Sequence, residues 1–283
     1  THGVDRIWIV NVGDIKPMEF PISFFLDMAW NPKEFNSDNL SDYYTKWSEN
    51  QFGKEHAEGR TTGDLKEFWH FGQDLDAQPK LKGIYPNNIH VKELQNFNKV
   101  GNEVYKKLEK TAEVLLQAIA LYLELDAFYF DSYIREGNSI LRAIHYPPIT
   151  KAPNEAERAA AHGDINLITL LMGSQGGGLQ VLNRNQEWID AIAGPDELMI
   201  NIGDMLSRLT NNHLPSTIHR VVNPPPEEWG NARYSLPFFM HPIPQMPLNC
   251  LPQMIDAAHP KKYEDIDAGT FLHQRLVALG LLK

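Results

Sequence analysis

The chain has 283 residues, 42% hydrophobic and 22% charged, an ordinary globular balance with ample length for a buried core. Its formal charge of −10, with no dense Lys/Arg cluster, argues against a nucleic-acid or anionic-membrane partner, whose phosphates demand a basic face. The single cysteine, Cys250, excludes an internal disulfide and a structural zinc site built on thiolates. No apolar stretch approaches the roughly 20 residues of a membrane span, and no basic-then-apolar signal segment opens the chain. A soluble protein of a reducing, cytoplasmic compartment is expected.

The first 57 residues begin with the apolar run Ile7-Trp8-Ile9-Val10-Asn11-Val12, which suits a buried strand, and a turn follows at Lys16-Pro17. A helix is expected at 39–51, with Ser37 or Asp38 as its N-cap. Residues 58–91 are polar and Gly-rich around Phe68-Trp69-His70-Phe71, and read as an extended arm or loop. Over 92–126, Phe97, Val104, Leu108, Leu115, Ile119 and Tyr122 recur at steps of three, four or seven, the stripe of one long amphipathic helix.

From 139 onward the pattern changes to short strands with turns between them. Residues 139–146 end at Pro147-Pro148, and 167–172 end at Gly176-Gly177-Gly178. A polar turn between 179–182 and 187–190 signals a hairpin, and 198–202, 216–222 and 234–240 complete the set. Several short strands at close spacing predict a mainly β protein with flanking helices, its core a barrel or jelly roll over about 139–244. A Pro-rich connector then leads to a terminal amphipathic helix at 270–282.

The chemistry centres on His162-Gly163-Asp164. On a strand or at its end, residues two apart project to one face, so an imidazole and a carboxylate converge on a point. His219, in the later strand, is the candidate third ligand. Two histidines and one carboxylate on one face form the facial triad that leaves positions open on Fe(II) for an oxo-acid and O₂. Arg233 and Ser235 repeat the two-residue spacing, and a guanidinium with a hydroxyl aimed into a barrel makes a carboxylate receptor. Arg142 and Tyr146 share a face of the strand ending at Pro147; the Tyr146 hydroxyl could reach a bound oxo-acid, although a core tyrosine fits the spacing equally well.

The runs His162-Gly163-Asp164-Ile165-Asn166-Leu167-Ile168-Thr169-Leu170-Leu171, Gly178-Leu179-Gln180-Val181, Asn201-Ile202-Gly203-Asp204, Ser216-Thr217-Ile218-His219-Arg220-Val221 and Arg233-Tyr234-Ser235 resemble the isopenicillin N synthase-like branch of the 2-oxoglutarate/Fe(II) dioxygenases. The resemblance covers roughly residues 58–283, and Gly63-Asp64-Leu65-Lys66-Glu67-Phe68-Trp69-His70 resembles a segment of the bacterial members. It implies a double-stranded β-helix, iron at His162, Asp164 and His219, and 2-oxoglutarate held by Arg233, Ser235 and Tyr146. It also implies O₂ as oxidant and oxidation, chiefly hydroxylation, of a small-molecule substrate, with no catalytic group beyond the metal ligands. Many relatives carry Asn two positions before that tyrosine; Ile144 stands there in this chain, so one polar contact near the oxo-acid is missing.

Residues 1–57 lack the family's usual opening, and the stretch from Asp5 to Pro21 resembles part of a bacterial xylan α-glucuronidase family instead. The expected organisation is therefore an atypical, possibly foreign segment at 1–57 and a dioxygenase domain at 58–283. Three other readings stay open at this level. One is an oxidase of the same fold that uses no 2-oxoglutarate, with Arg233 and Ser235 holding a substrate carboxylate. The others are a carbohydrate-active protein and a mosaic without activity. Neither the primary substrate nor the oligomeric state is legible.

Overall fold

The computed structural model describes residues 63–281, apart from 77, 78, 82, 93, 175, 195 and 280. The strand expected at 7–12 and the helix at 39–51 therefore lie outside the described residues. The chain divides into two units, Thr1–Lys54 and Glu55–Lys283, and all described residues belong to the second.

Two antiparallel sheets form the body of this unit. The larger is ordered β1 (Glu67–Phe71), β2 (Ile140–Tyr146), β9 (Arg233–Met240), β4 (Ile168–Met172) and β7 (Leu198–Ile202). The smaller is ordered β3 (Ala159–His162), β8 (His219–Val221), β5 (Leu179–Leu182) and β6 (Trp188–Asp190). This is the double-stranded β-helix expected from the motifs. Its turns use glycine where the backbone requires it: Gly178, between β4 and β5, has φ +97° and a Cβ there would press on the Val222 carbonyl oxygen.

The long helix is α1 (Phe97–Tyr122), and it covers the outer face of the larger sheet. Its fully buried line is Gly101, Tyr105, Leu108, Ala112, Leu116 and Ala120, and Phe97, Val104, Leu115 and Ile119 of the expected stripe pack against the same core from its margin. Of that stripe only Leu108 is fully buried, and Tyr122 is 65% exposed. Small residues alternate with large ones along that line because α1 lies close on the sheet, where Phe238, Leu141 and Leu170 rise to meet it. Gly101 shows the closeness directly, since a Cβ there would overlap three atoms of the buried Phe71 ring. Gly to Ala in a helix interior normally gains about 0.5–1 kcal/mol, but overpacking a filled core costs about 1–3 kcal/mol. Gly101→Ala is thus expected to destabilise the fold, read as a lower urea midpoint at unchanged slope.

The aromatic cluster assigned to a loop is the edge strand β1. Trp69 and Phe71 turn toward α1, where both rings meet Phe97, with centroids 5.6 and 5.2 Å away. Phe68 and His70 turn to the opposite, inner face, a division of faces that follows from the two-residue strand period. In β9, Pro237 has no N–H to give, and the β2–β9 register skips Arg142 and Ala143, the residues that would stand opposite Pro237 and Leu236. The segment expected as a strand from 216 pairs as β8 only from His219, because Thr217 N–H crosses to the Ile202 carbonyl at the end of β7. Two short helices, α2 (Asp131–Ile134) and α3 (Asp204–Leu209), were not apparent in the sequence pattern. The terminal helix α4 (Ala268–Ala278) starts earlier than expected, at Asp267, whose carboxylate accepts the Thr270 N–H at 2.7 Å.

A second, smaller cluster fills the space between the sheets: Ile144, Tyr146, Ala159, Leu171, Leu179 and Val221. It is the apolar floor on which the candidate site stands. No helix among the described residues is long and apolar enough to cross a membrane.

Candidate active site

His162 is the last residue of β3, and it pairs directly across the smaller sheet with His219, the first residue of β8. Their rings lie 4.4 Å apart between centroids. Asp164 stands just beyond the strand rather than on it, held where its carbonyl accepts the Asp204 N–H at 2.7 Å. Its Oδ1 lies 3.8 Å from His219 Nε2. Donor atoms of the three side chains all fall within 4.8 Å of one another, close enough for one cation to touch all three.

The surroundings fix which atoms face that point. His162 Nδ1 donates to the Ala160 carbonyl at 2.7 Å, and His219 Nδ1 to the Thr217 carbonyl at 3.0 Å. With Nδ1 spent on backbone, each imidazole presents Nε2 as its lone pair. Asp164 Oδ2 accepts the Thr169 hydroxyl at 2.7 Å, and Thr169 in turn accepts from Asn166 Nδ2 at 2.9 Å, leaving Oδ1 for the cation. Part of the His162 surface reaches solvent, yet packing around the ring, and next the neighbouring His219, push its pKa down to about 4, so it is a neutral donor at physiological pH. Burial alone would raise the Asp164 carboxyl; His219, His162, the Thr169 hydroxyl and Arg142 outweigh it and hold the group below the ordinary carboxylate range. Two imidazoles and one carboxylate, with Nε2 and Oδ1 converging, fit a divalent first-row metal such as Fe(II).

Thr169 and Asn166 carry no signal of their own in the sequence, because the hydroxyl matters only through its placement beside Asp164. Thr169→Val keeps the shape and removes the donor. It is expected to weaken Fe(II) binding about 10–100-fold, as loss of an outer-shell partner commonly does. A titration of the apo protein with Fe(II) checks this.

The predicted oxo-acid residues assemble on the facing sheet. Tyr146 and Arg233 are cross-strand partners in the β2–β9 ladder, and Ile144 lies opposite Ser235. Arg233 is 2% exposed, Tyr146 3% and Ser235 7%. The Arg233 guanidinium carbon lies 5.1 Å from the centre of the Tyr146 ring, and its Nη2 donates to Ser174 Oγ at 2.8 Å. Among the described residues no carboxylate pairs with Arg233, and its Nε and Nη1 have no hydrogen-bond partner. Buried donors of a charged group left in this state ask for an anion. Burial raises the Tyr146 phenol above its ordinary value, against the pull of Arg233, so it stays protonated and able to donate. Ser174 and the buried Arg158, whose Nη2 donates to the Asn231 carbonyl at 2.8 Å, also belong to this wall and were not foreseen.

A third group lies on the inner face near the metal triad. Arg142 Nε donates to His70 Nε2 at 2.7 Å, and its guanidinium carbon sits 4.1 Å from the Phe68 ring centre and 5.3 Å from that of Phe239. Phe239 pairs with Thr169 across the β4–β9 ladder, which places this cation and its rings next to the Asp164 side of the triad. Only the shared face of Arg142 and Tyr146 could be read from sequence.

The jelly roll thus carries a His-Asp-His cluster beside one sheet and, on the other, a buried arginine with no carboxylate partner among the described residues, an arrangement that a divalent metal and a carboxylate ligand would fit. Residues 137–242 match the 2OG-Fe(II) oxygenase superfamily, and residues 1–69 match glycosyl hydrolase family 115, a match that ends inside β1. A solved structure from Caulobacter crescentus, assigned to the 2OG-Fe(II) oxygenase family, is 42% identical with TM-score 0.71, covering 92% of this chain and 86% of its own. A full-length Neurospora crassa protein, solved in complex with alpha-KG and thymine, is 30% identical with TM-score 0.67, covering 87% of this chain and 70% of its own. The 2-oxoglutarate-Fe(II) type oxidoreductase hxnY of Emericella nidulans is 32% identical over 216 residues, 73% of this chain. This chain spans 61% of the length of that curated relative. The chain belongs to the 2OG-Fe(II) oxygenase superfamily.

Proposed function

We propose that this chain is an Fe(II)- and 2-oxoglutarate-dependent oxygenase that oxidises a small molecule. The observation that carries this reading is the pairing of the two sites: a converging His162, Asp164 and His219 set, faced by a buried Arg233 whose guanidinium has no acid partner among the described residues. His162, Asp164 and His219 would hold the iron, and Arg233, Ser235 and Tyr146 the far carboxylate of the oxo-acid. Bound there, Fe(II) supplies O₂ activation coupled to oxidative decarboxylation of 2-oxoglutarate to succinate. The protein's part is placement. Arg233 offers charge and two unspent donors, Ser235 and Tyr146 offer hydroxyls, and Ile144, Leu171 and Leu179 keep the floor apolar and short of water. Ile144, opposite Ser235, adds apolar surface where relatives commonly place an amide.

The substrate side is assigned to Phe68, His70, Arg142 and Phe239. A guanidinium lying against aromatic rings suits a small planar molecule bearing carbonyl or carboxylate oxygens. Thymine, present in the N. crassa structure, is a natural first compound to try. An oxidase without 2-oxoglutarate would give Arg233 to a substrate carboxylate instead; the alpha-KG complexes of the N. crassa protein favour the co-substrate reading. Residues 1–57 are given no catalytic group, since glycoside hydrolysis usually needs two carboxyl groups held at a set separation by a rigid scaffold.

The test is succinate release from 2-oxoglutarate by the purified protein with Fe(II) and ascorbate, alone and with a panel of small planar metabolites. Iron-dependent succinate formation, stimulated by one of them, is expected. No succinate under any condition would remove the co-substrate, and release of 4-O-methylglucuronic acid from xylan fragments that survives Asp164→Ala would make the glycosidase likeness functional.

A further inference from the structure

The strand that carries His162 is an edge strand among the described residues, and the segment just before β1 braces it. β3 lies at the edge of the smaller sheet with β8 on one side only. Its pairing is irregular: Ala159 stands opposite Val221 and His162 opposite His219, so Ala160 and Ala161 share the single residue Arg220. This is a β-bulge, and it re-aims the residue that follows it. Without the extra residue, a two-residue period would send His162 to the other face of the strand.

The free side of the bulge is occupied by the segment just before β1. Asp64 Oδ1 accepts the Ala160 N–H at 3.1 Å, and Leu65 N–H donates to the Glu157 carbonyl at 2.8 Å. Asp64 is itself anchored, because its Oδ2 holds Lys66 Nζ at 2.9 Å with both side chains almost wholly buried. The same Ala160 then accepts the His162 Nδ1–H on its carbonyl at 2.7 Å. One residue of the bulge thus takes the brace on its N–H and orients the candidate iron ligand on its C=O. Ala160 is 1% exposed, so water cannot easily replace Asp64 as acceptor.

We propose that Asp64 is a positioning residue for the metal site: by holding the bulge through the Ala160 N–H, it sets the direction of the His162 imidazole and through it the affinity for the metal. The proposal rests on the metal reading above. It concerns a hydrogen bond, not the charge, since the acceptor is one carboxylate oxygen while the other is committed to Lys66.

Co(II) serves as the probe, because its visible d–d bands report ligand geometry and its titration reports affinity without turnover. Wild type is expected to bind one Co(II) per chain. Asp64→Ala should bind about 10–100-fold more weakly, the range of an outer-shell partner, with altered d–d bands. Asp64→Asn, whose Oδ1 can accept the same N–H, should stay within about threefold of wild type. Where Asp64→Ala does not fold, Asp64→Ser, too short to reach Ala160, carries the same expected loss. A variant whose urea midpoint falls while its Co(II) affinity and bands match wild type would show a merely structural brace and overturn the proposal. So would an Asp64→Asn as weak as Asp64→Ala, which would implicate the charge. Failure of wild type to bind Co(II) at all would instead overturn the metal reading on which this one depends.

Discussion

Asp164→Ala is expected to leave a folded protein without a saturable Fe(II) site and without iron-dependent turnover. Asp164 is the only anionic donor of the three, and it is 7% exposed, so no bulk water stands ready to take its place. The two imidazoles that remain bring no negative charge, and their rings lie 4.4 Å apart. A divalent cation placed between them would lack an offsetting charge in a part of the protein where charges interact strongly. The loss should therefore exceed the 10–100-fold expected for an outer-shell partner such as Thr169. Stability should move less, because the change removes a buried carboxylate together with the bond from the Thr169 hydroxyl. Full iron occupancy with retained turnover in this variant would remove Asp164 from the site.

Arg233→Gln is the second large effect. Glutamine keeps some length and one hydrogen-bonding head but loses the charge and the planar fork. Truncating one partner of a buried, charge-assisted pair costs about 2–5 kcal/mol, so the apparent 2-oxoglutarate constant should rise roughly 30-fold to several-thousand-fold. Iron binding should persist, since Arg233 and the triad stand on different sheets. The unliganded variant should be at least as stable as wild type, because the substitution removes a buried cation that pairs with no carboxylate among the described residues. A purely structural arginine would behave in the opposite way, costing stability and sparing the co-substrate constant. An unchanged constant would transfer Arg233 to the substrate or to the fold.

What could be read from the chain and what could not divide along a physical line. Motif spacing singled out His162, Asp164, His219, Arg233 and Ser235, and the fold brings the first three together although Asp164 lies beyond β3, where the two-residue period no longer applies; the β2–β9 register sets Tyr146 against Arg233. Ser174, Arg158 and Asp64 were not, because each acts through a partner far along the chain: Arg233, the Asn231 carbonyl and the Ala160 N–H. Thr169 lies near Asp164 in sequence, yet only the turn after β3 brings its hydroxyl onto the carboxylate. The same limit explains α1. Its large apolar residues mark the face that packs, whereas the places of Gly101, Ala112 and Ala120 within the contact depend on the distance between layers, which the sequence does not give. β1 escaped notice because a five-residue edge strand with aromatics on both faces shows no clean alternation. The bulge in β3 is the subtlest case, for nothing in Ala159-Ala160-Ala161 distinguishes a regular strand from one that turns its last residue toward a metal.

The most direct test of the account is a crystal structure of the protein grown without oxygen in the presence of Fe(II) and 2-oxoglutarate. The account predicts one metal ion touching His162 Nε2, Asp164 Oδ1 and His219 Nε2, with the far carboxylate of 2-oxoglutarate on Arg233 and Ser235. A metal bound elsewhere, or an oxo-acid whose carboxylate leaves Arg233 untouched, would contradict it.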